Sequence, residues 1–178
     1  GIFFVSSILG LGVKTDGFLR NNQYRKIYRK EKESYCDPED EDYTIPFGQA
    51  RMVSEGDDIT VVTNSIMTVK AEKAIKKLQK EGISVDHIDL RTIVPLDTDT
   101  IIKSVKKTGK LLIVDEGHES FGISGEIATR IMPEVFYDLE APVKRLGTAD
   151  VPLPFSPALE FPLIPDDKKI YAAIKEML

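Results

Sequence analysis

The chain has 178 residues, enough for one domain with an extension and for a core that buries about two-thirds of the surface exposed by the unfolded chain. Its apolar fraction of 42% and charged fraction of 30% are those of ordinary globular proteins, and a net charge of −5 gives no general reason to bind nucleic acid. The single cysteine, Cys36, excludes an internal disulfide and a thiolate metal site, which fits a reducing cytoplasm.

The first 42 residues differ in composition from the rest. The opening GIFFVSSILGLGV is apolar but too short to span a bilayer, and it lacks the basic start of a signal peptide. Residues 1–30 carry a net charge of +5 and residues 31–42 one of −6, a reversal typical of an exposed linker. We therefore expect residues 1–42 to hold the end of a preceding domain and a charged linker. Residues 43–178 are expected to form the folded domain.

From Tyr43 onward, apolar runs alternate with helical patterns, which predicts βαβ units. The predicted elements up to residue 114 are strand Ile59–Thr63, a helix from Ile66 to Gly82, strand Val85–Leu90, a helix from an Asp97 N-cap to Thr108–Gly109, and strand Leu111–Val114.

The second half begins with a glycine-punctuated turn, Asp115–Gly125. The elements predicted after it are a helix carrying Ile127, Ile131 and Val135 that is broken or ended near Met132–Pro133, strand Val143–Leu146, a proline-rich irregular crossing over 147–165, and a last helix capped by Asp166. Together these elements predict a three-layer αβα domain with a mostly parallel sheet of four to five strands.

The turn Asp115–Gly125 is the best candidate site by position, because ligands gather at the carboxyl ends of strands in open α/β sheets. Glu116 and His118 in this turn offer acid–base chemistry or the orientation of a partner. The competing interpretation is a strand-to-helix turn with solvated polar residues, and it is favoured because a site must be shown by geometry.

Other chemistry-bearing residues point to structural roles. His87 lies inside a strand and is expected to be half-buried and hydrogen-bonded. Ser65 and Ser124 lack the G-x-S-x-G context of a nucleophile elbow. Arg91 is expected to brace a turn, although a clamp on a carboxylate or phosphate stays open. The sequence thus predicts no catalytic, cofactor-binding or metal-binding residue in this chain.

Seven segments carry a family resemblance: YTIPFGQA (43–50), EGDDITVVT (55–63), VDHIDLRTIVPLD (85–97), TGKLLIVDE (108–116), FGISGEI (121–127), LEAPVKR (139–145) and DVPLPFSPALE (150–160). In this order they resemble the C-terminal domain of the β subunit of thiamine-diphosphate-dependent 2-oxo acid dehydrogenases, which belong to the transketolase-like group. Alternatives are the tail of a transketolase or deoxyxylulose-phosphate synthase, or a free-standing interaction or anion-binding module.

The resemblance implies an enzyme that decarboxylates a 2-oxo acid and passes the acyl group to a lipoyl arm, in the cytoplasm or the mitochondrial matrix. It implies that thiamine diphosphate and Mg²⁺ are held by an α subunit and by the N-terminal domain of the β subunit, not by this fragment. The implied partners are an α subunit and a second β subunit in a heterotetramer, and an acyltransferase core. No nucleic acid or membrane partner is implied.

Two surfaces are predicted to meet these partners. The helix 124–135 is expected to present isoleucine and methionine side chains to another subunit. An acidic surface near the chain's end is expected to meet a small basic subunit-binding domain of the acyltransferase, because complementary charge steers encounter. Its residues are Glu134, Asp138, Glu140, Asp166, Asp167, Glu176 and the carboxylate of Leu178.

Overall fold

A computed structural model describes residues 46–178, so the predictions for residues 1–42 lie outside the described residues. The strands are β1 (Arg51–Ser54), β2 (Ile59–Thr63), β3 (Val85–Asp89), β4 (Leu111–His118) and β5 (Lys144–Thr148). The helices are α1 (Ile66–Lys80), α2 (Thr98–Thr108), α3 (Ile123–Val135), α4 (Pro157–Glu160) and α5 (Asp167–Met177). None of the helices in this part of the chain has the length and apolarity needed to cross a membrane.

The five strands form one sheet in the order β1-β3-β2-β4-β5. β2 pairs in parallel with β3 and β4, β4 pairs in parallel with β5, and only β1 runs antiparallel, along the edge of β3. Helices cover both faces, because the central strands are apolar on both sides. The predicted three-layer α/β fold is confirmed.

Two hydrophobic cores lie on opposite faces of the sheet. One contains Ile59, Val61 and Val114 and is closed by α1 and α5. The other contains Val62 and Ile113 and is closed by α2 and α3. Successive residues of β2 enter different cores because side chains alternate along a strand. The same alternation of side chains along a strand also decides which side of the sheet each polar residue of that strand faces.

Helix ends follow the local sequence signals. The Asp97 side chain accepts a hydrogen bond from the Thr100 N–H at 3.1 Å, and the Asp166 side chain accepts one from the Lys169 N–H at 2.8 Å. Gly109 ends α2 with a left-handed φ of 68°. The N-caps predicted at Asp97 and Asp166 and the helix end predicted at Gly109 are confirmed.

The second half of the chain corrects two boundaries. β4 runs to His118, so Glu116 and His118 lie in a strand and not in a turn, because β5 continues the pairing from Val114↔Leu146 to His118↔Thr148. Pro133 lies inside α3 instead of ending it. It stands two residues before the last residue of α3, so its missing N–H removes one hydrogen bond, and the helix continues to the bond from the Phe136 N–H to the Met132 carbonyl at 3.0 Å.

A buried carboxylate joins the opposite end of the sheet to α2. Asp86 is almost fully buried and accepts hydrogen bonds from Gly56 N–H at 2.7 Å, from Ser104 Oγ at 2.7 Å and from Lys107 Nζ at 2.8 Å. A Cβ on Gly56 would lie 2.1 Å from the Val85 nitrogen, so only glycine fits there. This cluster is fully satisfied and holds the amino ends of the strands, away from the candidate site.

Candidate functional site

The carboxyl ends of the parallel strands form one edge of the sheet. β2 ends at Thr63, β3 at Asp89 and β4 at His118, and each is followed by a residue with a positive φ. These residues are Ser65 (φ 52°), Arg91 (φ 55°) and Phe121 (φ 58°). Left-handed backbone at residues other than glycine is uncommon, and its cost concentrates at functional and strained sites. This edge is therefore the candidate functional site, which we call the carboxyl edge.

Ser65 occupies a tight turn between β2 and α1. Its φ of 52° and ψ of −135° place it at the N-cap of α1 without a capping hydrogen bond from its side chain. Its hydroxyl is instead hydrogen-bonded to Glu116, which lies on the neighbouring strand β4. The residue before it, Asn64, is buried and its Oδ1 has no hydrogen-bond partner within the described residues. The sequence did not predict this turn, because no glycine marks it. The signal that could have indicated it is a serine between a buried strand and a helix.

Glu116 is the central acid of the carboxyl edge. Burial raises the pKa of its carboxyl group, and repulsion from Asp115 adds to the increase. The Ser65 hydroxyl and the Lys70 ammonium group lower the pKa and partly offset these effects. Lys70 donates to the Pro165 carbonyl at 2.7 Å, and burial lowers its own pKa. A carboxyl group with these neighbours can accept hydrogen bonds or exchange a proton near the edge.

His118 has a different partner. Its Nδ1 lies 2.9 Å from the Ala149 carbonyl oxygen, which only accepts hydrogen bonds, so Nδ1 carries the proton. Glu116 and His118 lie two residues apart in the part of β4 where the register with β5 is irregular, and their side chains have separate partners. Joint acid–base chemistry by Glu116 and His118 stays a prediction.

The two histidines of the chain do not complete a nucleophile triad with Ser65. His87 is fully buried in β3 and its Nε2 lies 2.8 Å from Thr63 Oγ1, while His118 bonds to Ala149. His87 was expected to be half-buried and is instead fully buried. Side chains alternate along β3, and this alternation places His87 on the side of the sheet that α1 covers. No group of three or more histidine, cysteine or acidic side chains within residues 46–178 could hold a metal ion.

Hydrogen bonds hold the turn after β4 against the segment after β5. Ser120 donates from its N–H and its Oγ to the Asp150 carboxylate, at 3.1 and 2.5 Å. Arg145 Nη1 donates to the Glu119 carbonyl at 2.9 Å. These bonds fix the turn while Phe121, at its tip, is fully exposed. The turn is thus tied to the segment after β5 at the carboxyl edge.

Arg91 follows β3 beside a buried carboxyl group. Its N–H donates to Asp89 Oδ1 at 3.3 Å, an interaction within the turn. Burial raises the pKa of the Asp89 carboxyl, and the charges of Arg91 and Arg51 partly offset the increase. This contact is made by the backbone of Arg91, so bracing of the turn by its side chain stays a prediction.

The predicted acidic surface separates into two groups. Asp166 caps α5, Asp167 pairs with Lys77 at 2.7 Å, and Glu176 pairs with Lys144, so these acids already have partners. Glu134 and Asp138 are exposed and enter no ion pair or hydrogen bond between side chains in the described structure. Between them, Phe136 and Tyr137 form an exposed edge-to-face pair with ring centroids 5.2 Å apart.

The fold and the carboxyl edge define a known class of domain. Residues 48–170 match the family model of the transketolase C-terminal domain, and the chain belongs to that family. Its relatives include β subunits of pyruvate and 2-oxoisovalerate dehydrogenases. One is the pyruvate dehydrogenase E1 component subunit β of Rickettsia felis, 47% identical over 133 residues that make up 75% of this chain and 41% of that protein. The resemblance read from the sequence is confirmed.

Two further matches agree with the assignment to the transketolase C-terminal domain family. The 2-oxoisovalerate dehydrogenase subunit β of Bacillus subtilis is 41% identical over 138 residues, which are 77% of this chain and 42% of that protein. A solved structure of a split-gene transketolase, described as an inactive β4 tetramer, is 27% identical with a TM-score of 0.62, covering 78% of this chain and 44% of that chain. The chain therefore spans less than half the length of the relatives it matches.

Proposed function

We propose that this chain is the C-terminal part of the β subunit of a 2-oxo acid dehydrogenase, whose reaction is the oxidative decarboxylation of a 2-oxo acid with transfer of the acyl group to a lipoyl arm. The observation that carries the proposal is the 47% identity to a pyruvate dehydrogenase β subunit over 133 consecutive residues. The match to a split-gene transketolase supports the alternative, a transketolase tail, at the lower identity of 27%. The complete enzyme would work in the cytoplasm or the mitochondrial matrix.

Within that enzyme, the residues described here fit an assembly role. Thiamine diphosphate and Mg²⁺, which the family uses, need a metal-ligand set and a site for a pyrophosphate. The described residues hold no metal cluster, and the carboxyl edge presents the acids Glu116 and Asp115, which repel an anionic pyrophosphate. These observations support the inference that the cofactor is held by other parts of the assembled enzyme. Subunit contacts and docking of the acyltransferase core are what its own residues offer.

The proposal is tested with the complete β subunit, including all residues encoded upstream of Gly1. It is co-expressed with the α subunit of the same genome, and reduction of an artificial electron acceptor is measured with pyruvate and with branched-chain 2-oxo acids. We expect activity with at least one 2-oxo acid. Transfer of a two-carbon unit between sugar phosphates, without 2-oxo acid oxidation, would instead support the transketolase alternative.

Calorimetric titration of the 178-residue chain with thiamine diphosphate and Mg²⁺ is expected to give no binding heat. The physical reason is the missing metal-ligand set and the acidic carboxyl edge of the described residues. The complete β subunit mixed with its α subunit serves as the positive control. Micromolar binding by the chain alone would contradict the assignment of this domain to assembly.

Reversal of Glu134 and Asp138 to lysine is expected to slow association with the subunit-binding domain of the acyltransferase by about tenfold at low salt. These two acids are exposed and flank the Phe136–Tyr137 pair, so they combine charge with an aromatic anchor. Stopped-flow association rates at several salt concentrations give the measurement, and the salt dependence is expected to flatten as well.

The matched control reverses two other exposed acids, Glu55 and Asp99, which leaves the same net charge at a different place. At 0.1 M salt this control is expected to keep most of the wild-type rate, because screening there confines charge effects to about 10 Å. Circular dichroism checks that both double variants keep their fold. If both double variants slow association equally, or if neither slows it, Glu134 and Asp138 are not the docking residues.

A further inference from the structure

The connections of the sheet place a topological switch point between β2 and β4. These strands are neighbours, but the helix after β2, α1, covers one face of the sheet, and the helix after β4, α3, covers the other. In open α/β sheets, ligands bind at such a point, outside the carboxyl ends of the strands. Three buried polar residues lie there on the α3 side, and we call them the switch-point layer: Asn64, Asp115 and Ser124.

The strand residues of the switch-point layer stand above the core closed by α2 and α3. Val62 and Ile113 pair across β2 and β4 in that core, and Asn64 and Asp115 follow them by two residues. Side chains alternate along a strand, so Asn64 faces away from α1, toward the side that α3 covers. The two strands lie about 4.8 Å apart, which brings the residues that end them close together.

Ser124 belongs to the side of α3 that faces the sheet. Ile127, Ile131 and Val135 on this side are buried in the core closed by α2 and α3, and Ser124 is buried one turn before Ile127. The expectation that isoleucines of this helix meet another subunit is therefore wrong, because they pack inside the domain. α3 begins beyond the carboxyl end of β4, so its first turn brings Ser124 over that end of the core.

Asp115 brings a buried carboxylate to the start of α3. A Cβ on Gly122, the N-cap of α3, would lie 3.8 Å from Asp115 Oδ2, and a Cβ on Gly117 would lie 2.9 Å from the same atom. Asp115 is only 6% exposed and forms no ion pair within residues 46–178. A buried carboxylate is costly without a counter-charge, and a helix N-terminus supplies only part of one.

Two further oxygen atoms of the switch-point layer have no partner. Asn64 is 6% exposed and Ser124 is 1% exposed. Among the described residues, Asn64 Oδ1 and Ser124 Oγ have no hydrogen-bond partner, and solvent does not reach either atom. Buried polar atoms in native proteins are nearly always paired, and an unpaired one is destabilising. A ligand that contacts both oxygens and also compensates the Asp115 charge would remove all three costs.

The chemistry of the switch-point layer favours a small monovalent cation. A carboxylate, an amide oxygen and a hydroxyl are the oxygen ligands that hard cations take. One carboxylate balances one positive charge, and Mg²⁺ usually keeps several waters, for which a layer closed to solvent has no room. A water molecule could pair the two oxygens, but it would leave the Asp115 charge uncompensated. Sodium is smaller than a water molecule, whereas potassium is about as large.

We propose that the switch-point layer binds one sodium ion through the Asp115 carboxylate, Asn64 Oδ1 and Ser124 Oγ. The ion joins the ends of β2 and β4 to the first turn of α3, so it stabilises the folded domain in proportion to its occupancy. The site uses contacts within this domain alone and does not depend on the proposed function. It selects against Mg²⁺, in agreement with the absence of binding heat expected in the titration with thiamine diphosphate and Mg²⁺.

Thermal unfolding of the 178-residue chain in NaCl, KCl and choline chloride of equal ionic strength tests the proposal. With sodium at about ten times its Kd, Tm is expected to be about 4 °C higher in NaCl than in choline chloride, with KCl close to choline chloride. Asp115→Asn keeps the shape of the side chain without its charge and is expected to abolish this difference. Glu119→Gln, the matched control, removes an exposed charge four residues later and is expected to retain it.

Three outcomes overturn the proposal. They are equal Tm values in the three salts, a sodium-specific gain that Asp115→Asn retains, and a larger gain in KCl than in NaCl. If Asp115→Asn does not fold, the wild-type chain is followed by sodium-23 NMR. The sodium line is then expected to broaden in a saturable manner, and a line that the chain leaves unchanged would also overturn the proposal.

Discussion

Truncation of Ile113 to alanine is expected to lower the free energy of unfolding by about 2–5 kcal/mol. Ile113 lies in β4, is almost fully buried, and packs in the core closed by α2 and α3. Its truncation removes three methyl or methylene carbons from water-free packing and leaves a cavity that the flanking strands cannot close. The loss is a large part of the 5–15 kcal/mol that stabilises a typical domain.

Ile88→Ala is expected to cost a similar amount, since Ile88 is also fully buried in the same core. The strands that carry the two isoleucines follow each other in the predicted strand sequence, but they are not neighbours in the sheet. β2 lies between them, and Val62 pairs with Ile88 on one side and with Ile113 on the other. Both variants therefore act on the packing of Val62, and their costs should not be strictly additive.

Urea unfolding followed by circular dichroism provides the measurement, with Ile102→Ala as the matched control. Ile102 lies in α2 and packs against the same core, but it is only partly buried. Its truncation is expected to cost about 1 kcal/mol or less, because less area leaves contact with the core. A cost below about 1 kcal/mol for both Ile88→Ala and Ile113→Ala would contradict burial of these strands on both faces.

Features that depend on neighbouring residues in the sequence could be predicted. Strand Ile59–Thr63 was located to the residue, because a β-branched run buried on both faces leaves a continuous apolar signal. The caps at Asp97 and Asp166 were found because a capping carboxylate binds an N–H only three residues away. Here the interaction and its signal lie within one helical turn.

Features that depend on pairing between residues far apart in the sequence could not be predicted. β1 has four half-buried residues, RMVS, and exists because it pairs with β3 more than 30 residues later. The polar end of β4, Asp115–His118, is predicted as a turn from its sequence. It is a strand because β5 pairs with it as far as His118↔Thr148. The contact of Ser65 with Glu116 likewise joins the turn after β2 to a residue of β4 that lies 51 positions later in the chain. Such contacts leave no local pattern in the sequence.

Acidification from pH 6.5 to pH 4.5 is expected to cost the folded protein about 2–3 kcal/mol through His87 alone. His87 is fully buried, and burial together with the charge of Arg51 lowers its pKa from the ordinary 6.5 to about 3. Below pH 6.5 the unfolded chain gains a proton on this residue, while the folded chain stays neutral until about pH 3. The stability is therefore fully present above pH 6.5 and is lost as the pH falls.

The contacts of His87 explain why the folded protein resists its protonation. Thr63 Oγ1 lies 3.2 Å from the Ile88 carbonyl, which can only accept, so the Thr63 hydroxyl donates there and receives the Nε2–H of His87 at 2.8 Å. The His87 Nδ1 is buried with no hydrogen-bond partner among the described residues. A second proton would sit on Nδ1 as a buried positive charge, near Arg51 and without a counter-charge in contact.

Two carboxyl groups, those of Asp89 and Glu116, change the stability with pH in the direction opposite to His87. Burial raises the pKa values of Asp89 and Glu116, so the folded protein binds their protons first and gains stability as the pH falls. This gain occurs in every variant that keeps the two acids. The contribution of His87 is therefore read as a difference between variants and not from the wild-type curve alone.

The experiment compares the wild type with His87→Gln and His118→Gln, which remove one or the other of the two histidines in the chain. Urea unfolding at pH 6.5, 5.5 and 4.5 gives the free energy of unfolding for each. His118→Gln is the control for loss of an imidazole at an exposed position, and His87→Gln is expected to lose about 2–3 kcal/mol less than the wild type over this range. If His87→Gln does not fold, the ring resonances of His87 in the wild type are followed by NMR and should not shift between pH 7 and pH 4.5. A titration of His87 near pH 6, or an unchanged slope in His87→Gln, would contradict its burial as a neutral ring.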